Sequence, residues 1–326
     1  MIVVDHVHKS YGSFKAVSDL SFSVPAGSVC GFLGPNGAGK TTTIRMLTGA
    51  IEPSSGRLEL AGIDVRRNPR ASKKMVGYLP EGNPLPLELT VQEYLRFRCG
   101  LWGVDHGKRK ASIESVVERC ELGEVRAKLL ASLSRGFRQR VGLAAALVAS
   151  PSVVILDEPG TGLDPATAIA FRKLVRSLRG DHTVLFSSHN LSEVEATCDH
   201  LVLISRGKLV AHGTGAELRR IGAVGVRFEI ESTRCDPSSL REVVGVTGVQ
   251  TSSMHDGWIR TLVEVESEPS GESGRGSTGA LPSALGEALH ASGAVVRRLE
   301  RVTPALEEIF QRLTREGSTV GSGDAR

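Results

Sequence analysis

Two short stretches of this chain combine residue types that handle phosphate. The first is Gly34-Pro35-Asn36-Gly37-Ala38-Gly39-Lys40-Thr41, followed by Thr42, a match to G-x-x-x-x-G-K-[ST]. Glycines let successive backbone N–H groups turn inward around a phosphate, and a helix that starts there adds partial positive charge. Lys40 is placed to reach the β- and γ-phosphates, and the Thr41 hydroxyl to ligate Mg²⁺. The second stretch is Val153-Val154-Ile155-Leu156-Asp157-Glu158. Four apolar residues form a buried strand ending in two acids, and the carboxyl end of a parallel strand faces the ligand crevice. Asp157 would hold Mg²⁺ through water and Glu158 would polarise the attacking water.

Both stretches need strands and helices that alternate. Ser28–Leu33 reads as a buried strand running into the glycine loop, and Thr41–Thr48 as the helix after it. From about residue 83 to 150 the pattern is helical, with Val91–Phe97, Lys110–Glu118 and Arg138–Ala149 fitting a 3.6 period. Short apolar strands return at Val153–Leu156, Thr183–Phe186 and Leu201–Ile204, with a helix over Pro165–Leu178. Such alternation predicts an α/β fold with a largely parallel sheet covered on both faces.

The composition changes after residue 220. Residues 224–312 read strand, helix, strand, strand, helix, strand, helix, the order of a split βαβ unit. The reading gives three parts: a domain over 1–220 with its helical subdomain at about 83–150, a small α+β domain over 221–315, and a disordered tail over 316–326. Residues 266–280, rich in Gly, Ser and Glu, read as a flexible loop.

The chain has 326 residues, a net charge of +4 and five cysteines with no CxxC pair. That charge does not suggest a nucleic-acid partner, and the cysteine pattern suits a reducing compartment. No apolar run approaches the roughly 20 residues that span a bilayer. The expectation is a cytoplasmic chain whose membrane contact goes through a partner.

Further motifs carry a family resemblance. Leu133-Ser134-Arg135-Gly136-Phe137-Arg138-Gln139-Arg140 resembles the signature segment of ABC ATPases and stands before the acid pair, as in that family. Gly162-Leu163-Asp164 resembles the family's D-loop, His189 its switch histidine, and Tyr11 the aromatic that stacks on adenine. The resemblance spans residues 1 to about 220 in the right order. It implies a P-loop NTPase of the ABC type that hydrolyses ATP with Mg²⁺. It also implies head-to-tail pairing, as a homodimer or with a second ABC ATPase subunit. Ser134, Arg135 and Gly136 of one chain would then meet the γ-phosphate held by the other, and Asp164 would cross the seam. Glu158 and His189 take the catalytic roles, and Thr41, Asp157 and Glu81 the metal.

The chain departs from the common pattern at three positions. Glu81 stands where most members carry glutamine, in the loop that couples the metal to the membrane subunit. Arg135 replaces a glycine and Phe137 a glutamine. These variants resemble the branch that drives ABC-2-type export permeases, which implies an integral-membrane permease partner and a place on the inner face of the cell membrane. Members that act on DNA or ribosomes carry long coiled coils, zinc cysteines or two ATPase cores. This sequence has no heptad run, no CxxC pair and no second phosphate loop.

Overall fold

The computed structural model describes residues 1–222, 226–265, 280–302 and 306–311. They divide into two compact units, Met1–Gly215 and a second beginning at Ala216. Of the loop expected at 266–280, residues 266–279 lie outside the described residues, as does the tail expected at 316–326, while Ala280 opens a helix. No helix among the described residues is long and apolar enough to cross a membrane.

The first unit holds two sheets. β1 (Ile2–Tyr11) and β2 (Phe14–Val24) form an antiparallel hairpin, joined by β4 (Ser55–Leu60) and β5 (Ile63–Asp64) in the order β2-β1-β4-β5. This separate antiparallel sheet stands beside the largely parallel one that the alternation of strands and helices predicts. The larger sheet contains β3 (Val29–Leu33), β6 (Val76–Leu79), β7 (Val153–Leu156), β8 (Thr183–Ser188), β9 (His200–Ser205) and β10 (Lys208–Gly213). Its order is β10-β9-β3-β8-β7-β6, parallel throughout except for β10 against β9. Every residue of β3, β7 and β8 is buried. That explains why β3, β7 and most of β8 read as continuous apolar runs rather than alternating ones.

The helices of this unit are α1 (Lys40–Leu47), α2 (Pro69–Lys74), α3 (Val91–Leu101), α4 (Arg109–Arg119), α5 (Arg135–Leu147), α6 (Pro165–Arg176) and α7 (Leu191–Thr197). α8 (Gly215–Gly222) begins at the end of the unit. The caps explain several starts. Thr90 and Glu93 form a reciprocal capping box at α3, and Ser134, Asp164 and Asn190 each accept a backbone N–H at the first turn of α5, α6 and α7. α2 and α7, of six and seven residues, were not anticipated, being too short to show a 3.6 period.

In the second unit, β11 (Val226–Ser232), α9 (Pro237–Arg241), β12 (Val246–Ser253), β13 (Ile259–Val265), α10 (Ala280–Ala291) and β14 (Val296–Val302) follow one another. A helical stretch covers 306–311. The sheet order is β12-β13-β11-β14, antiparallel throughout. Phe228 and Ile230 of β11 pack in one core with Leu240, Leu285 and Leu289 from the two helices. Alternate residues of the same strand carry charge: Glu229 pairs with Arg260 at 3.2 Å and Glu231 with Arg297 at 2.6 Å. The period-2 pattern thus separates an apolar face from an ion-paired one.

Candidate functional site

Sheet order assembles the site. β3, β8, β7 and β6 lie side by side and parallel, so their carboxyl ends open on one edge. These ends deliver the glycine loop, His189, the Asp157–Glu158 pair and Glu81, in that spatial order. The ligand crevice of an open α/β sheet lies along such an edge.

The glycine loop runs from Gly34 to Gly39 between β3 and α1. Gly39 caps α1 with φ +101°, and a Cβ there would stand 2.8 Å from the Ala16 carbonyl oxygen. A side chain would strain the backbone and also push β2 away. Lys40 is only 6% exposed, and its Nζ donates to Gly34 O at 2.7 Å and to Pro35 O at 3.4 Å. The same Nζ lies 3.3 Å from Glu158 Oε1.

A cleft of about 430 Å³ opens here. Pro35 to Thr42 form one wall, and Glu81, Glu158, Thr161 and His189 another. Asp157 sits beneath, buried, where its Oδ1 accepts the Ser187 hydroxyl at 2.7 Å. Burial pushes the Asp157 carboxyl up despite that bond, and the Glu81 and Glu158 charges add to the rise. Ser187 Oγ also accepts the Glu158 backbone N–H at 2.8 Å, so one hydroxyl orients both acids. Glu158 has φ +46°, a conformation that few non-glycine residues adopt. Its Oε2 lies 2.7 Å from His189 Nδ1 and accepts the Thr161 hydroxyl at 3.2 Å. Burial raises the Glu158 carboxyl, but the His189 hydrogen bond and the Lys40 cation outweigh it and hold the group below its ordinary value.

At the base end, Tyr11 closes β1, 47% exposed, with the Lys9 ammonium 5.1 Å from its ring centroid. Phe14, three residues on and 65% exposed, lines the cleft where Tyr11 does not. Sequence reading passed over Phe14. An aromatic flanking the Gly12-Ser13 turn was the available signal.

The signature residues are placed apart from the cleft within one chain. Ser134 and Gly136 line a separate opening of about 460 Å³ with Phe137 and Thr167. Ser134 Oγ accepts Phe137 N–H at 3.3 Å, and Asp164 Oδ1 accepts Thr167 N–H at 3.0 Å; the Thr167 hydroxyl first and its N–H second hold the Asp164 carboxyl below its usual range. Arg135 reaches the other way: its Nη2 donates to Thr161 O at 2.8 Å.

Two further residues escaped the sequence reading. Ser187 belongs to no motif, and nothing in one dimension shows that β8 lies beside β7. Asn83 donates from Nδ2 to Arg138 O at 2.6 Å, tying the loop after Glu81 to α5.

No three His, Cys, Asp or Glu side chains among the described residues gather around a metal position, and the groups that the sequence assigns to a metal, Thr41, Asp157 and Glu81, offer only oxygens. Such a set suits Mg²⁺, which takes one or two carboxylates along with water and substrate phosphate.

Known proteins resemble this chain in sequence and in fold. The family model described as ABC transporter matches residues 17–161. The bacitracin transport ATP-binding protein of Bacillus licheniformis is 41% identical over 204 residues, 62% of this chain and 66% of that protein. The daunorubicin resistance ATP-binding protein of Streptomyces coeruleorubidus is 37% identical over 219 residues, 67% of this chain and 69% of its own. ABC transporter A family member 1 of Dictyostelium discoideum is 32% identical over 229 residues, 70% of this chain. The chain spans only 26% of that protein's length. A solved structure described as the ATP binding subunit of an ABC transporter superposes with a TM-score of 0.62 at 28% identity, over 68% of this chain and 92% of that one.

Proposed function

The chain belongs to the ATP-binding, ATP-hydrolysing subunits of ABC transporters, and from that premise we propose that it powers export through a separate membrane-spanning permease. The observation that carries the reading is the convergence of Lys40, Glu158 and His189 at one cleft edge, with 3.3 Å and 2.7 Å between neighbours. A buried ammonium beside inward-turned backbone N–H groups holds a triphosphate, and a carboxylate kept ionised accepts a proton from water.

In this reading the glycine loop cradles the phosphates, and Lys40 exchanges its bond to Glu158 for the β- and γ-phosphate oxygens. Glu158 accepts the proton of the attacking water, while His189 keeps the carboxylate aimed and deprotonated. Mg²⁺, held by Thr41, Asp157 and Glu81, would supply charge neutralisation at the phosphates.

The placement of Ser134 and Gly136 supports pairing of two chains. They sit at the N-terminus of α5, a favourable place for an anion, yet open on a cleft that the chain's own phosphate loop does not line. A second copy or a sister subunit would bring that terminus to the γ-phosphate. Export is supported by relatives named for bacitracin transport and daunorubicin resistance. A permease would draw the chain to the inner membrane face, and Glu81 with Asn83 would connect it to the cleft and to α5.

Lys40→Ala tests the reading, because it removes a cation bonded to the loop's own carbonyls. The expected result is loss of steady-state ATP turnover by at least about 10²-fold, with the far-ultraviolet circular dichroism unchanged. Turnover at the wild-type rate would overturn the site.

A further inference from the structure

The residue that departs from the common signature makes a bond that glycine could not make. Arg135 Nη2 donates to the Thr161 carbonyl oxygen at 2.8 Å within its own chain. Its guanidinium lies over Gly162, whose φ is +73°, and a Cβ at that position would run into it. Thr161 is in turn bonded twice to Glu158. Its backbone N–H donates to Glu158 O at 3.2 Å, and its hydroxyl donates to Glu158 Oε2 at 3.2 Å. Arg135, Thr161 and Glu158 also line one continuous opening.

Resting on the hydrolytic reading above, we propose that Arg135 is a positioning residue for Glu158 of the same chain, clamping the turn that aims the carboxylate. The physical need is visible at Glu158 itself. With φ +46° its backbone sits in a sparsely populated region that persists only where neighbours hold it. Ser187 restrains the amide from the sheet side. On the solvent side the hold comes from Thr161, whose side chain and N–H are both committed to Glu158. Thr161 stays in place because a planar, always-charged donor grips its free carbonyl. A charge-assisted bond of this type is stronger than a neutral one. The turn leads on to Asp164, which caps α6, so it is anchored at both ends.

This cis role differs from the contact with a partner's γ-phosphate that the signature position implies. A phosphate contact changes nucleotide affinity and acts whether or not Glu158 is present. A clamp changes the chemical step and acts only through Glu158.

A double-mutant cycle on the full-length chain separates the two. Wild type, Arg135→Ala, Glu158→Gln and the double variant are compared by single-turnover and steady-state hydrolysis of radiolabelled ATP, with Arg135→Lys as the conservative control. We expect Arg135→Ala to lower kcat about tenfold with KM within about twofold. Arg135→Lys should recover most of the loss, because an ammonium can donate to the same carbonyl. In the Glu158→Gln background, Arg135→Ala should cost less than about twofold. Fully additive losses, or a raised KM at unchanged kcat, would overturn the clamp while leaving the ATPase reading standing. A Glu158→Gln chain as active as wild type would instead overturn the site, and the clamp with it.

Discussion

Glu158 is held between two nitrogen-bearing side chains, one on each oxygen: Oε1 lies 3.3 Å from Lys40 Nζ, and Oε2 lies 2.7 Å from His189 Nδ1. The pair differ in exposure. The Lys40 side chain is 6% exposed, the His189 side chain 56%. The buried lysine is fixed by loop carbonyls, whereas the histidine can leave with little desolvation to reverse. An incoming γ-phosphate would therefore compete for Lys40 and for His189 by different routes, one electrostatic and one by rotation of an exposed ring.

His189→Ala should shift the pH dependence of turnover. A base works only when deprotonated, so activity falls as pH drops through its pKa. In the wild type His189 and Lys40 hold the Glu158 carboxyl below its ordinary value, against its burial. Without the His189 bond, burial dominates and the pKa rises. The acid limb of the kcat profile should then move to higher pH, with kcat at neutral pH reduced about 10-fold or more. A limb that stays in place would show that His189 does not set the ionisation of Glu158.

Asp157→Asn should stabilise the fold while removing turnover. Burial raises the Asp157 carboxyl in the folded chain. An acid with a raised folded pKa costs stability above that pKa, and the cost disappears as pH falls below the unfolded value. Above the raised value the buried carboxylate carries that cost, and an amide avoids it while still accepting the Ser187 hydroxyl. The gain should be about 1 kcal/mol, or roughly 2–4 °C in Tm for a unit of this size. Differential scanning calorimetry at pH 7 without nucleotide measures it. A lowered Tm would mean that the carboxylate is better compensated than its surroundings indicate.

The two aromatics beside the Gly12-Ser13 turn can be told apart by substitution. Phe14 lines the cleft, and Tyr11 sits under Lys9 at the end of β1. Stacking on a base is worth about 1–3 kcal/mol, so Phe14→Ala should raise KM for ATP at least about 5-fold. Tyr11→Ala is the comparison. Equal KM values for wild type and Phe14→Ala would return the adenine contact to Tyr11 alone.

Much of this site could be read in one dimension because phosphate chemistry needs contiguous residues. The loop Gly34 to Thr41 works through its own backbone, and the Asp157–Glu158 pair is adjacent in the chain, so each motif carries its geometry with it. The buried strands were legible for a related reason: in a parallel sheet covered on both faces, β3 and β7 are apolar at every position. The succession of strands and helices in the second unit was also legible, whereas its strand order, β12-β13-β11-β14, is seen only in the structure.

What the sequence by itself determined, then, was chemistry borne by neighbours in the chain: the phosphate loop, the acid pair, and the alternation that makes an α/β fold. Only the tertiary structure decided which distant side chains share that chemistry. Ser187 orients both acids because β8 lies beside β7, a matter of sheet order that no local pattern encodes. Phe14 lines the cleft together with Pro35 to Thr42 because of how the β1–β2 hairpin turns. Arg135 grips Thr161 across 26 residues of sequence because the starts of α5 and α6 lie together. Hydrogen bonds and ion pairs act over about 3 Å of space, whatever the separation along the chain, so packing alone selects these partners.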